Sequence, residues 1–180
     1  MNKATYIVII LIASCLASCA FSAKKKAEAI TALEESLKQS SKNHISDTAK
    51  VKELLADYEY YYTHYTKDSL TPIYLMRSGN FNRAIGLSEK AVKCYRTIYT
   101  DFPQYPRADM AMMLEGYTYE NDLHNTAKAK ESYELYLTKY PQGKMTADVH
   151  FLIDHLGMTP EQIMAEIDSI KRTRGDVQTP

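Results

Sequence analysis

Tryptophan is absent from this 180-residue chain, and glycine and proline number only six each. Both punctuate chains of short strands and tight turns, so their scarcity argues against a β-sandwich or barrel. Three cysteines cannot build a disulfide framework. Neither sign of charge is in surplus, with Lys plus Arg and Asp plus Glu at 22 each. A protein that grips nucleic acid by neutralising phosphates needs a basic excess, and none is present. At 45% hydrophobic and 24% charged, the chain belongs neither with disordered tails nor with multi-span membrane proteins. Its length suits one domain or a short solenoid. What the sequence does have is tyrosine, 15 of them against four phenylalanines.

Catalytic motifs are missing too. There is no Gly-x-Ser-x-Gly, no His-Glu-x-x-His, no phosphate-cradling glycine loop and no Cys-x-x-Cys. His150 and His155 stand five apart, about 140° around a helix, which does not make a ready metal pair. An envelope hydrolase using either histidine is the weakest reading. Cys94 flanks the apolar stripe of its helix with no histidine nearby in sequence, as an inert, partly buried thiol would. Neither an enzyme, a cofactor, a metal nor a small-molecule substrate is expected.

The first residues read as an address. Lys3 precedes an apolar run from Tyr6 to Ala13 and then small residues, the order of a secretory signal peptide. That run is shorter than the roughly 20 residues a spanning helix needs. Ala4 to Phe21 as a whole is almost entirely apolar, so an uncleaved anchor is the competing reading. Leu16-Ala17-Ser18-Cys19 resembles the bacterial lipobox, and Ile12-Ala13-Ser14-Cys15 matches the same pattern less well. The resemblance implies cleavage after Ser18, a diacylglyceryl group on the Cys19 thiol and acylation of the new amino terminus. Two or more acyl chains hold a membrane stably where one does not. Ala20 follows the cysteine where an inner-membrane retention signal would place Asp, which favours the outer membrane. Organisation then follows as a signal peptide (1–18), a lipidated tether with an N-terminal helix (19–45), a repeat domain (46–173) and a disordered tail (174–180).

From Lys24 to Ser41 the residues are good helix formers, with Ala29, Ile30, Leu33 and Leu37 on one stripe. Lys24, Lys25 and Lys26 stand just past the anchor, where a solvated tether is preferred to headgroup contact. Ser46 or Asp47 can cap the next helix, which carries Val51, Leu54, Leu55, Tyr58, Tyr61, Tyr62 and Tyr65 on one face. Tyr60 falls about 200° from Tyr58, on the opposite face, so this helix expects neighbours on two sides.

The chain is self-similar at a shift of 38 residues. Lys90-Ala91 maps to Lys128-Ala129, Tyr95 to Tyr133, Phe102-Pro103 to Tyr140-Pro141, and upstream Phe81 to Tyr119 and the cap candidate Ser88 to its counterpart Thr126. Shifting Tyr58, Tyr61, Tyr62 and Tyr65 by 37 lands on Tyr95, Ile98, Tyr99 and Phe102, a degenerate earlier copy. Thr159-Pro160-Glu161-Gln162 is a capping box before a last helix whose single stripe is Ile163, Met164, Ile167 and Ile170, as a terminal cap requires.

Gly116-Tyr117-Thr118-Tyr119, followed by Lys128-Ala129, Tyr133 and Tyr140-Pro141, resembles the tetratricopeptide repeat (TPR) in its small–aromatic–alanine–aromatic–proline order. The family has a large aromatic where Met112 stands and a leucine at Glu115, and Ser78 occupies the Gly116 position of the earlier unit. With the lipobox and the Leu-Gly-x-Thr-Pro-Glu cap, the whole is similar to short TPR lipoproteins of Gram-negative envelopes. It is more distantly similar to the TPR lipoproteins of β-barrel assembly and the TPR coordinators of the Tol–Pal system. The implied fold is all-α, a right-handed α–α solenoid of helical hairpins.

The family's groove positions, carried across at the same shift, fall on Met110, Met113, Tyr117, Glu120 and Asn121 in one unit and on Pro72, Leu75, Gly79, Asn82 and Arg83 in the preceding one. Methionine and tyrosine give an adaptable floor, and Asn121 and Arg83 supply polar pins. The resemblance implies another envelope protein or peptide as partner, with the protein as an adaptor held to the membrane through Cys19. A Met-rich face packed on the N-terminal helix is the competing use of those residues. A structural accessory that self-associates through the N-terminal helix and the Tyr60 face is the second functional reading.

Overall fold

Alanine, lysine, glutamate and tyrosine at 3.6-residue spacing have one low-energy outcome, and the computed structural model shows it throughout. It describes the backbone of residues 3–42 and 47–174 and the side chains of residues 21–40 and 47–173. Among these, every regular element is helical: α1 (Lys3–Lys42), α2 (Thr48–His64), α3 (Thr71–Ala84), α4 (Ser88–Asp101), α5 (Ala108–Asn121), α6 (Thr126–Lys139), α7 (Thr146–Asp154) and α8 (Pro160–Arg174). The fold is all-α, a helical-repeat arrangement of solenoid type. The side chains of Cys15 and Cys19 lie outside the described residues, as do Ser46 and residues 175–180 of the expected disordered tail, whose first residue, Arg174, instead ends α8.

Two compact units divide the chain, Met1–Ile85 and Gly86–Pro180. In the first, α2 packs on both α1 and α3, the two-sided burial that its aromatic pattern calls for. Tyr58, Tyr61, Leu54 and Tyr74 are buried there with Ala23 and Ile30 of α1. Tyr58 stacks on Tyr74 at 5.5 Å and Tyr61 meets the same ring edge-on at 4.7 Å. Such offset and edge-on arrangements suit the ring quadrupole better than a face-to-face sandwich. In the second unit α5 packs on α4 and α6, and α6 packs on α7.

The linkers between hairpins recur as a local structure. Tyr65, Phe102 and Tyr140 each close their helix by donating the backbone N–H to a carbonyl four residues back. Each then offers its own carbonyl to the third residue beyond, whose carbonyl in turn receives the amide that opens the next helix: 65–68–71, 102–105–108 and 140–143–146. At two of the three the incoming threonine hydroxyl adds a bond to the aromatic residue's carbonyl, Thr71 to Tyr65 at 2.6 Å and Thr146 to Tyr140 at 3.1 Å. Three copies of one linker make the repeat structural even where the sequence identity is thin.

Several sequence expectations shift by a residue. The stripe that α1 buries runs through Ala23, Ala27, Ile30, Leu33 and Leu37, while Ala29 is exposed. Lys24 to Ser40 is therefore part of a packed helix rather than a solvated tether. Asp47 caps α2, its Oδ1 accepting the Lys50 amide at 3.0 Å. The caps of α4 and α6 are Leu87 and Asn125, one residue before Ser88 and Thr126, and only Asn125 has a side chain that accepts. Both halves of the Thr159–Gln162 capping box form. Met164 and Ile170 of α8 nevertheless remain 55% and 44% exposed.

Candidate functional site

Helix register decides which side chains face outward, and the structure corrects it for the first unit. α3 begins at Thr71 and α5 at Ala108, a shift of 37, whereas α4 and α6 begin at Ser88 and Thr126, a shift of 38. The difference is one residue in the connection that follows α3 and α5. Residues 85–87 connect α3 to α4 through Gly86 at φ 78°, and residues 122–125 connect α5 to α6 through His124 at φ 50°. Glycine adopts that left-handed backbone without cost, so the shorter turn closes on it.

At the 37-residue register the burial patterns coincide. Gly79 matches Gly116, Leu75 matches Met112 and Asn82 matches Tyr119, all buried. Leu75 and Asn82 are therefore core positions of α3 rather than groove positions, and Pro72 and Gly79 are buried as well. Asn82 spends its amide inside its own helix, donating to the Ser78 carbonyl at 2.9 Å and hydroxyl at 3.1 Å. The residues of α3 that correspond to Met110, Met113, Tyr117 and Glu120 are Ile73, Met76, Asn80 and Arg83. Arg83 is half-buried.

On α5, Met110, Met113 and Tyr117 are half-buried along one face and Asn121 is exposed. The Asn121 amide donates to the Tyr117 carbonyl at 3.1 Å. Arg107 reaches the Met110 sulfur at 3.1 Å. Glu120 is committed inward: Oε2 accepts the Tyr133 hydroxyl at 2.9 Å and Oε1 faces the Gly157 amide at 3.4 Å. It therefore serves packing of α6 and the α7–α8 turn rather than an open floor. Burial, then that carboxylate, pushes the Tyr133 phenol well above the usual tyrosine range.

The first unit holds an open groove that the sequence did not announce. It lies between α1 and α3 with a volume of about 870 Å³. Its floor is Ala27, Ala32, Leu70, Ile73 and Tyr74, and its rim carries Lys24, Glu28, Glu35, Asp68 and Arg77. Glu34 fixes one wall. Its carboxylate takes both oxygens to Arg77 Nη1, at 2.6 and 2.8 Å, and accepts the Tyr58 hydroxyl at 2.5 Å. Burial and that acceptor together raise the Tyr58 phenol far above its ordinary value. A groove of this composition offers an apolar floor for a peptide or helix and charged edges to orient it. The clue was available in α1, whose alanines every few residues leave room for an incoming chain.

A second polar cluster was legible only as an oddity, a glutamate where the repeat prefers leucine. Glu115 is completely buried in α5. Arg96 of α4 donates to it through Nε at 2.8 Å and also through Nη2, which reaches the Tyr119 hydroxyl at 3.2 Å as well. Tyr99 donates its hydroxyl to the other carboxylate oxygen at 2.5 Å. Burial works against the Arg96 charge, but the adjacent carboxylate outweighs it and holds the guanidinium firmly protonated. Among the described residues, no buried side-chain nitrogen or oxygen lacks a hydrogen-bond partner.

The histidines gather no ligand set. His150 is exposed. His155 bonds the Phe151 carbonyl at 2.8 Å and stands 3.8 Å from Glu166. Among the described residues no three His, Cys, Asp or Glu side chains converge. Cys94 is buried and forms no disulfide.

Helix-on-helix packing in each unit, with an open apolar groove in the first, places the fold in the helical-repeat class. Residues 110–143, from the first turn of α5 to the linker beyond α6, match the tetratricopeptide repeat family. The match spans a single repeat, of a family that is typically non-catalytic and binds other proteins or peptides. No curated protein matches the sequence.

Proposed function

We propose that this protein is a lipid-anchored adaptor of a bacterial cell envelope, held to the outer membrane on its periplasmic side through Cys19. The lipobox-like Leu16-Ala17-Ser18-Cys19 supports the anchor. The observation that carries the adaptor role is the α1–α3 groove, with its aliphatic floor and charged rim. Its occupant is a segment of another envelope protein, with Met110, Met113 and Tyr117 of α5 as a second contact face.

Photo-crosslinking from intact envelopes tests the reading. A photoreactive residue replacing Ile73 or Met113 should trap the same discrete partner, and one replacing the exposed Lys93 should not. Equal, diffuse labelling from all three positions would remove the groove from the argument. Mass measurement of the mature amino terminus, expected to be an acylated Cys19, tests the anchor separately.

A further inference from the structure

Three contacts fasten the middle of α1 to the C-terminal half of α2 and its cap residue. The Ser22 hydroxyl lies 2.9 Å from the Tyr65 hydroxyl. Lys26 pairs with Asp57 at 2.5 Å, and its ammonium sits 5.2 Å from the centre of the Tyr60 ring. Tyr60 stacks on His64 with centroids 3.9 Å apart. Beside these contacts Phe21 is 72% exposed, the most open large apolar side chain described, and Tyr60 is 44% exposed. Lys24 and Lys25 are exposed on α1, and Lys67 is exposed in the linker just past α2.

We propose that this aromatic and basic rim is a membrane-docking face whose occupant is an anionic phospholipid surface. The inference rests on the lipid-anchored reading above. Cys19 stands three residues before Ser22, and three residues of chain span at most about 11 Å in any conformation. An acyl group on Cys19 therefore holds the Ser22–Tyr65 contact at the headgroups, and an uncleaved apolar anchor ending near Phe21 would do the same. Tyrosine and phenylalanine suit that position because an apolar ring enters the interface while a hydroxyl stays wet. Lysine stems lie along the apolar surface and carry their charge to the phosphates. Lys24, Lys25, Lys26 and Lys67 stand against Asp57, Glu59 and Asp68, with Glu28 one turn farther along α1, so the positive surplus is small and lies at the Phe21 end of the rim, where anionic lipid complements it. The consequence is a first unit seated on the bilayer instead of hanging from a loose tether. Lys24 also belongs to the groove rim, so one end of the groove opens at headgroup level.

The natural chain has no tryptophan, so a single Phe21→Trp substitution reports alone. The full-length acylated protein, reconstituted in vesicles of phosphatidylethanolamine and phosphatidylglycerol, should show blue-shifted emission quenched at least twofold by bromine-labelled acyl chains. Gln39→Trp, about 27 Å farther along α1, should show neither effect. Phe21→Trp emission as unquenched as that of Gln39→Trp overturns the proposal. The triple variant Lys24→Gln, Lys25→Gln, Lys67→Gln should reduce the quenching, and so should replacing phosphatidylglycerol with phosphatidylcholine. Indifference to both changes overturns the choice of an anionic surface. Flotation with the vesicles and the mass of the amino terminus separate the two failures. An acylated, floating protein with an unquenched probe overturns the rim alone, while an unacylated, non-floating protein overturns the anchor and the rim together.

Discussion

The guanidinium of Arg96, on α4, is hydrogen-bonded through Nε at 2.8 Å to the carboxylate of Glu115, whose side chain is only 1% exposed. Arg96 itself is 54% exposed, so the pair carries charge from the α4–α5 interface out to solvent. At the 37-residue register Ser78 holds the corresponding position of α3. α3 and α5 have the same length and differ in what fills this point.

Breaking the pair from the arginine side should cost more than removing both charges. Arg96→Met strands a buried carboxylate with Tyr99 as its remaining donor, for a loss of roughly 2–3 kcal/mol once solvent access at Arg96 is allowed for. The double variant with Glu115→Leu should be more stable than that single variant. Urea denaturation of both measures it, and a single-variant loss under about 0.5 kcal/mol would show the pair to be idle.

Buried phenols make the fold sensitive to alkali. Tyr58, Tyr99 and Tyr133 are each raised above the ordinary value, by burial first and then by a carboxylate that accepts the hydroxyl proton. Above about pH 10 the unfolded chain loses those protons while the folded one keeps them, so the stability they supply is complete below pH 10 and declines above it. Melting temperature should be flat near neutrality in this respect and fall steeply past pH 10. Tyr133→Phe should soften that fall, and an unchanged alkaline limb in this variant would count against the assignment.

Gly116 is a contact, not a flexible point. A Cβ there would stand 2.6 Å from Cδ1 of Tyr133, a fully buried ring tied by its hydroxyl to Glu120. Gly116→Ala gains about 1 kcal/mol of helix propensity and loses about 1–3 kcal/mol to overpacking. A net destabilisation is expected, and relief by Tyr133→Leu in the same background would identify the ring as the obstacle.

Helix caps should respond in opposite directions. Asn125 accepts the Lys128 amide at 3.0 Å, so Asn125→Ala should cost about 1 kcal/mol. Leu87 holds the same place before α4 without a side-chain acceptor and is 42% exposed. Leu87→Asn should therefore stabilise the second unit by a few tenths of a kcal/mol to about 1 kcal/mol. Thermal unfolding of the two variants compares them directly.

Partner capture should separate groove from core. Ile73→Glu and Met113→Glu place a charge on half-buried faces and should abolish crosslinking to the partner while leaving helicity intact. Leu75→Glu, at a position only 2% exposed, should instead unfold the first unit. Loss of capture with full helicity in Leu75→Glu would reverse that distinction.

Local composition determined the class of this protein. Helix-forming residues at 3.6-residue spacing, a recurring alanine–tyrosine phrase and aromatic–proline stops leave packed helices as the way to bury the eight tyrosines of the core. Tyr58, Tyr61, Tyr95 and Tyr133 could be assigned to the core because each lies on the one apolar stripe of its helix. Register could not be assigned the same way. A single extra residue between Asn121 and Thr126 rotates every position of the neighbouring repeat by about 100°, and nothing in the identities of residues 85–87 shows how tightly that turn closes. Only the packed helices moved Leu75 and Asn82 into the interior, gave Glu120 to Tyr133 and Glu115 to Arg96, and opened a groove beside α1. Periodicity is a property of one helix, whereas a pocket or an ion pair belongs to two, and their relative position is fixed by contacts distant in sequence.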